Sequence, residues 1–148
     1  MEGYVVAMVG IALTVLLCGI GSSIGLYKTS SAAAGVLGEE PKRFGKVMVL
    51  VLLPATQGLY GFIIAIIASG AAANVTNIWQ GLAFVGALLP MMISGFTSAL
   101  FQGNSAVKCI YAVGKQESLG GKLIVYPGMI EFYAILGLII SIMLVGAF

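Results

Sequence analysis

The sequence predicts an all-α membrane protein of four transmembrane helices, built as a tandem duplicated helical hairpin, and three observations carry that prediction. Composition is the first. Of the 148 residues 60% are hydrophobic and only 8% charged, with a mean hydropathy of +1.11, whereas about a quarter of the residues of a soluble domain are charged. Second, the chain holds four apolar stretches, each long enough to cross about 30 Å of hydrocarbon at 1.5 Å per residue, and with the joining loops they use up the whole sequence. Third, the two halves resemble each other. Pro54 and Tyr60 recur as Pro127 and Tyr133, 73 residues on, and Gly45-Lys46 recurs as Gly121-Lys122, 76 residues on. Residues 1–73 and 74–148 then form two hairpins of the same orientation.

The first helix is expected from Tyr4 to Lys28. Its second half is rich in small residues, and Gly21 and Gly25 fall on one face at the spacing that lets two membrane helices approach closely. A dinucleotide fingerprint fails here, because Ile24 stands where it would need glycine. The segment opens with Glu2 and lacks a basic leader region, so no signal cleavage is expected. Thr29 to Gly45 reads as a polar connection, followed by the second helix, Lys46 to Ala73, interrupted by Pro54. An uncharged link, Asn74 to Trp79, leads to the third helix, Gln80 to Lys108. A charged connection, Tyr111 to Gly121, precedes the fourth, Leu123 to Phe148.

Every basic residue lies in or beside the first and third connections: Lys28, Lys42, Arg43 and Lys46, then Lys108, Lys115 and Lys122. By the positive-inside bias those loops, 29–45 and 111–121, are cytoplasmic and both termini face outward. The chain has no histidine, no aspartate and no phosphate-binding Gly-x-x-x-x-Gly-Lys-Ser/Thr loop. It is therefore expected to be non-catalytic, with energy delivered by a partner. Cys18 and Cys109 fall at different depths and are expected to stay unbridged.

One acid stands deep inside an apolar segment. Glu131 lies in the fourth helix, where an ionisable group costs roughly 2.5 to 3.5 kcal/mol on insertion scales and is kept only with something to neutralise it. In the second helix Leu53, Thr56, Gln57 and Tyr60 stand at i, i+3, i+4 and i+7, setting a hydroxyl, an amide and a phenol along one stripe. Pro54 removes a backbone donor and frees nearby carbonyls as ligands. The third helix adds Ser94, Ser98 and Gln102 near one face. Glu131, Gln57, Gln102, Thr56 and a freed carbonyl would form an oxygen cage with one negative charge, suited to a hard monovalent cation. A proton carrier needs only the carboxyl and an apolar shell, so the surplus of oxygens favours Na⁺. Interhelical hydrogen bonding without transport is the bland alternative, weakest for Gln57 with Glu131, because neutral partners leave the anion uncompensated.

Leu52-Leu53-Pro54-Ala55-Thr56-Gln57-Gly58-Leu59-Tyr60-Gly61, followed by Glu131-Phe132-Tyr133-Ala134-Ile135-Leu136-Gly137, resembles the membrane rotor proteolipid of V-type ATPases, most of all in bacterial Na⁺-translocating enzymes, where it is subunit K. The resemblance spans the chain. It implies a homo-oligomeric ring in the lipid bilayer that turns against a stator subunit bearing an essential arginine. It also implies a central-stalk subunit seated on the cytoplasmic loops and an ATPase head that drives the rotation. Na⁺ is implied as the transported ion, with no organic cofactor and no nucleic-acid partner. Carried over by position, the Na⁺ ligands are the Leu53 carbonyl, Thr56, Gln57, Gln102 and Glu131, and Tyr60 is the phenol that locks the carboxylate. Phe132 departs from the family pattern, which places a small or hydroxylated residue there; this bears on packing or access, not on ligation. The alternatives are the same ring carrying H⁺, and a small stand-alone transporter.

Overall fold

A computed structural model describes residues 1–148 and is helical almost throughout. Four segments are long and apolar enough to cross a membrane: Glu2–Glu39, Pro41–Ala72, Ile78–Lys115 and Glu117–Val145. The first is one helix, α1 (Glu2–Glu39). The second is α2 (Phe44–Leu52), a tight turn at Leu53–Ala55, and α3 (Thr56–Ala72). The third is α4 (Ile78–Lys115). The fourth is a tight turn at Glu117–Leu119, a short α5 (Gly120–Leu123), and α6 (Val125–Val145).

The helix ends differ from expectation. Thr29–Glu39 and Tyr111–Lys115 were expected in polar connections, yet they continue α1 and α4. Each of these helices has 38 residues, about 57 Å at 1.5 Å per residue, well beyond the hydrocarbon layer. The run Ala32-Ala33-Ala34 is strongly helix-forming, so polarity there marks departure from the apolar layer and not the end of the helix. What stops α1 is Pro41: the residue before a proline is driven out of the α region, and Glu40 sits at φ −132°, ψ 70°.

The prolines act by position. Pro54 falls after α2, and the chain makes one tight turn before α3 resumes at Thr56. Pro127 lies in the first turn of α6, where a missing donor leaves no intrahelical bond unmade. Pro90 lies inside α4, where the adjacent Met91 N–H donates to Ser141 Oγ of α6 at 3.0 Å.

α1 packs along α4, α4 against α6, and α1 against α3. Glycines make the first contact tight: a Cβ on Gly103 would sit 2.7 Å from Gly25 Cα, and one on Gly21 would sit 2.8 Å from Phe96 O. Two apolar clusters result. One, around Ile11, Ile64, Phe84, Leu88 and Met91, holds the end with the chain termini. The other, around Val36, Leu50, Ile110 and Val113, holds the end that carries the basic residues. Between them along the helices lies a layer of buried polar side chains, Ser22, Thr29, Gln57, Ser98 and Gln102.

At the basic end Arg43 Nη1 donates to Val113 O at 2.7 Å and to Gly114 O, filling carbonyls that the terminus of α4 leaves open. Its guanidinium also meets Glu40 at 3.4 Å. Lys46 pairs with Glu117 at 2.9 Å. Both cysteines are free, and each buried thiol donates to a carbonyl of another helix, Cys18 to Met91 and Cys109 to Leu123. Large apolar side chains cover the outside, among them Leu59, Phe62, Ile66, Phe132, Tyr133, Leu136 and Met143, which makes this a multi-pass membrane protein.

Candidate ion-binding site

The polar layer gathers around Glu131, nearly two turns into α6 and half-buried. Tyr60 of α3 donates its phenolic O–H to Glu131 Oε1 at 2.6 Å, a short bond of the kind an ionised acceptor makes. On the other side of the carboxylate, Gln102 of α4 places its Nε2 3.4 Å from Glu131 Oε2 and 3.1 Å from Pro127 O. Gln102 Oε1 in turn accepts from Gln57 Nε2 at 2.7 Å. Both glutamines are completely buried.

The helix break supplies the rest. Because the chain turns tightly at Leu53–Ala55, the Leu53 carbonyl accepts from the Thr56 N–H, and Thr56 Oγ1 donates to the same oxygen at 2.9 Å. Thr56 Oγ1 also lies 3.4 Å from Gln57 Oε1. A continuous run of contacts thus leads from the Leu53 carbonyl through Thr56, Gln57 and Gln102 to Glu131 and Tyr60. Residues from three membrane segments far apart in the chain meet in one cluster.

Ser94 and Ser98 do not join it. Ser94 Oγ donates to Pro90 O at 2.6 Å and Ser98 Oγ to Gly95 O at 3.5 Å, so both bond to their own helix. Phe132 turns away onto the exposed apolar face. The main surface groove between α4 and α6, lined by Pro90, Ile93, Phe101 and Tyr133, includes none of the six clustered residues. Pro127 was not singled out as a polar partner; its carbonyl accepts from Gln102, and a backbone partner of this kind leaves no trace in residue type.

Within the cluster every buried side-chain nitrogen and oxygen has a hydrogen-bond partner. The charge of Glu131 is another matter. The chain's ion pairs are Arg43–Glu40 and Lys46–Glu117, both at the basic end, so no Lys or Arg neutralises Glu131. The Tyr60 phenol and the Gln102 amide reach it directly, and the Gln57 amide, the Thr56 hydroxyl and the Leu53 carbonyl, which already accepts two hydrogen bonds, continue the same run of contacts. Each glutamine presents a donor on one side and an oxygen on the other, and rotation of the terminal amide exchanges them. One carboxylate and several neutral oxygens can therefore close on a small cation.

A family model described as the C subunit of ATP synthase matches twice, over residues 9–68 and again over 85–144. The V-type sodium ATPase subunit K of Enterococcus hirae is 40% identical over 143 residues, covering 97% of this chain and 92% of that protein. The A-type ATP synthase subunit K of Methanocaldococcus jannaschii is 39% identical over 145 residues, covering 97% of this chain and 64% of the archaeal one. The chain belongs to the ATP synthase C-subunit family, with the family's hairpin present in two copies.

Proposed function

From membership of this family, we propose that the chain is the rotor-ring subunit of a rotary V-type ATPase and carries Na⁺ across the membrane by reversible binding at Glu131. It performs no catalysis itself. The observation that carries the reading is a carboxylate within the bilayer that has no cationic partner and is ringed by amide and hydroxyl groups. The ligands are the Leu53 carbonyl, Thr56, Gln57, Gln102 and Glu131, and Tyr60 fixes the carboxylate. The sodium ATPase subunit among its relatives supports Na⁺ as the ion.

Copies of the chain close into a ring, the 1–73 and 74–148 hairpins of each lying side by side. The turns that follow α1 and α4, together with their basic side chains, face the cytoplasm and seat the central stalk, while both termini face outward. With Na⁺ bound the site is neutral and can pass through lipid. Empty, Glu131 is an anion whose exposure to hydrocarbon costs about 2.5 to 3.5 kcal/mol, a bias of about 70- to 400-fold against turning an unloaded site away from the stator. A stator arginine stabilises the empty carboxylate and so ties ion release to one angular position.

Labelling of Glu131 by a carboxyl-reactive carbodiimide, with and without Na⁺ at constant pH, tests this. Protection by Na⁺ is the expected result. Labelling that follows pH alone and ignores Na⁺ means that the ring carries protons. A detergent-extracted mass of one or two chains in place of a large closed ring would identify a stand-alone transporter.

A further inference from the structure

α1 supplies no ligand to the ion cluster, yet two buried hydroxyls on it, Ser22 and Thr29, face the helix break that does. The break leaves backbone groups open on both sides: carbonyls at the end of α2 and N–H groups in the first turn of α3. Within a bilayer no water satisfies them. Gly58 N–H, downstream, donates to Ser22 Oγ at 2.8 Å. Thr29 Oγ1 donates to the upstream Val51 carbonyl at 3.0 Å.

The registers match. Ser22 and Thr29 are seven residues apart, two turns of α1, and Val51 and Gly58 are seven apart on the segment running the other way. One contact therefore lies on each side of the break. Gly58 permits the approach, since a Cβ there would stand 3.2 Å from Ser22 Oγ and 3.3 Å from Ser22 Cβ. Thr29's single proton also faces Gly25 O at 3.2 Å and Leu26 O at 3.1 Å on its own helix, so Ser22 is the stronger half of the pair.

We propose that Ser22, together with Thr29, is a positioning residue for the ion site, the two hydroxyls splinting the break from α1. A regular helical turn would commit Gln57 N–H to the Leu53 carbonyl and Gly58 N–H to the Pro54 carbonyl. The Ser22 bond competes with the second and so opposes closure of the turn. That keeps the Leu53 carbonyl, Thr56 and Gln57 turned toward Gln102. The identity of the ion rests on the sodium reading above; the splint itself does not.

The test uses the assembled ring with two readouts. Ser22→Ala should raise the Na⁺ concentration that half-protects Glu131 from carbodiimide by about tenfold, as loss of an outer partner of a metal ligand does. It should also speed hydrogen–deuterium exchange of the peptide spanning residues 56–59. Thr29→Val should act in the same direction and Thr29→Ser should restore the parent values, and this pair carries the test if Ser22→Ala does not assemble. Unchanged exchange and an unchanged Na⁺ requirement overturn the proposal. Faster exchange in a ring whose parent form is never protected by Na⁺ supports the splint and removes the sodium reading instead.

Discussion

Replacing Tyr60 by phenylalanine removes one oxygen and little else, which makes it a clean probe of how the carboxylate is held. The lost bond, Tyr60 O–H to Glu131 Oε1, is 2.6 Å long. Hydrogen bonds to charged acceptors contribute about 1.5 to 3 kcal/mol. Both residues are half-buried, so the lower value applies here, and about 1.5 kcal/mol corresponds to a factor of about ten. The bond keeps Glu131 Oε2 turned toward Gln102 and not toward the exposed face beside Phe132. Without it the binding-competent rotamer becomes a minority, and the apparent dissociation constant rises in inverse proportion to its population. The half-protecting Na⁺ concentration in the carbodiimide assay should therefore increase about tenfold, with the ring still assembled. A change of less than about twofold would show that the phenol does not preorganise the site.

Gln102→Leu leaves the buried Gln57 amide without its partner, at about 1 to 3 kcal/mol. It should lower the ring's thermal dissociation temperature as well as its Na⁺ affinity. Arg43→Ala opens the Val113 and Gly114 carbonyls, so the ring should dissociate at lower temperature in detergent while the half-protecting Na⁺ concentration stays at the parent value. Gly103→Leu drives a side chain into Gly25 and should abolish assembly on a mass measurement, whereas Gly35→Ala, at a site with nothing within 4 Å, should assemble normally.

Much of the site was legible because its chemistry is written in residue type. An acid deep in an apolar segment, a proline that interrupts its helix and three polar residues after it, Thr56, Gln57 and Tyr60, are visible without coordinates, and helical spacing puts those three on one face. Glu131, Gln57 and Gln102 needed three helices to converge, which spacing alone does not give; the packing of α3, α4 and α6 against one another does. The ends of α1 and α4 were not legible. Hydrophobicity falls away beyond Thr29, where α1 leaves the apolar layer, and helix propensity carries the helix on to the turn set by Pro41. Ser94 and Ser98 looked like companions of Gln102, but a serine in a membrane helix can satisfy itself on its own backbone, and these two do. Ser22 went unnoticed in a stripe taken for close packing, because its partner is a backbone N–H of another helix and not a side chain.

On the proposed function, Glu131 and its neutral oxygens hold one Na⁺ per chain. Equilibrium binding of radioactive sodium to the purified ring, at a pH where the parent ring is protected from carbodiimide, addresses it directly, with Glu131→Gln as the paired sample. A single ion per chain is expected in the parent ring and none in the variant. Equal sodium binding by the two rings, or none by the parent in concentrated salt, would contradict it.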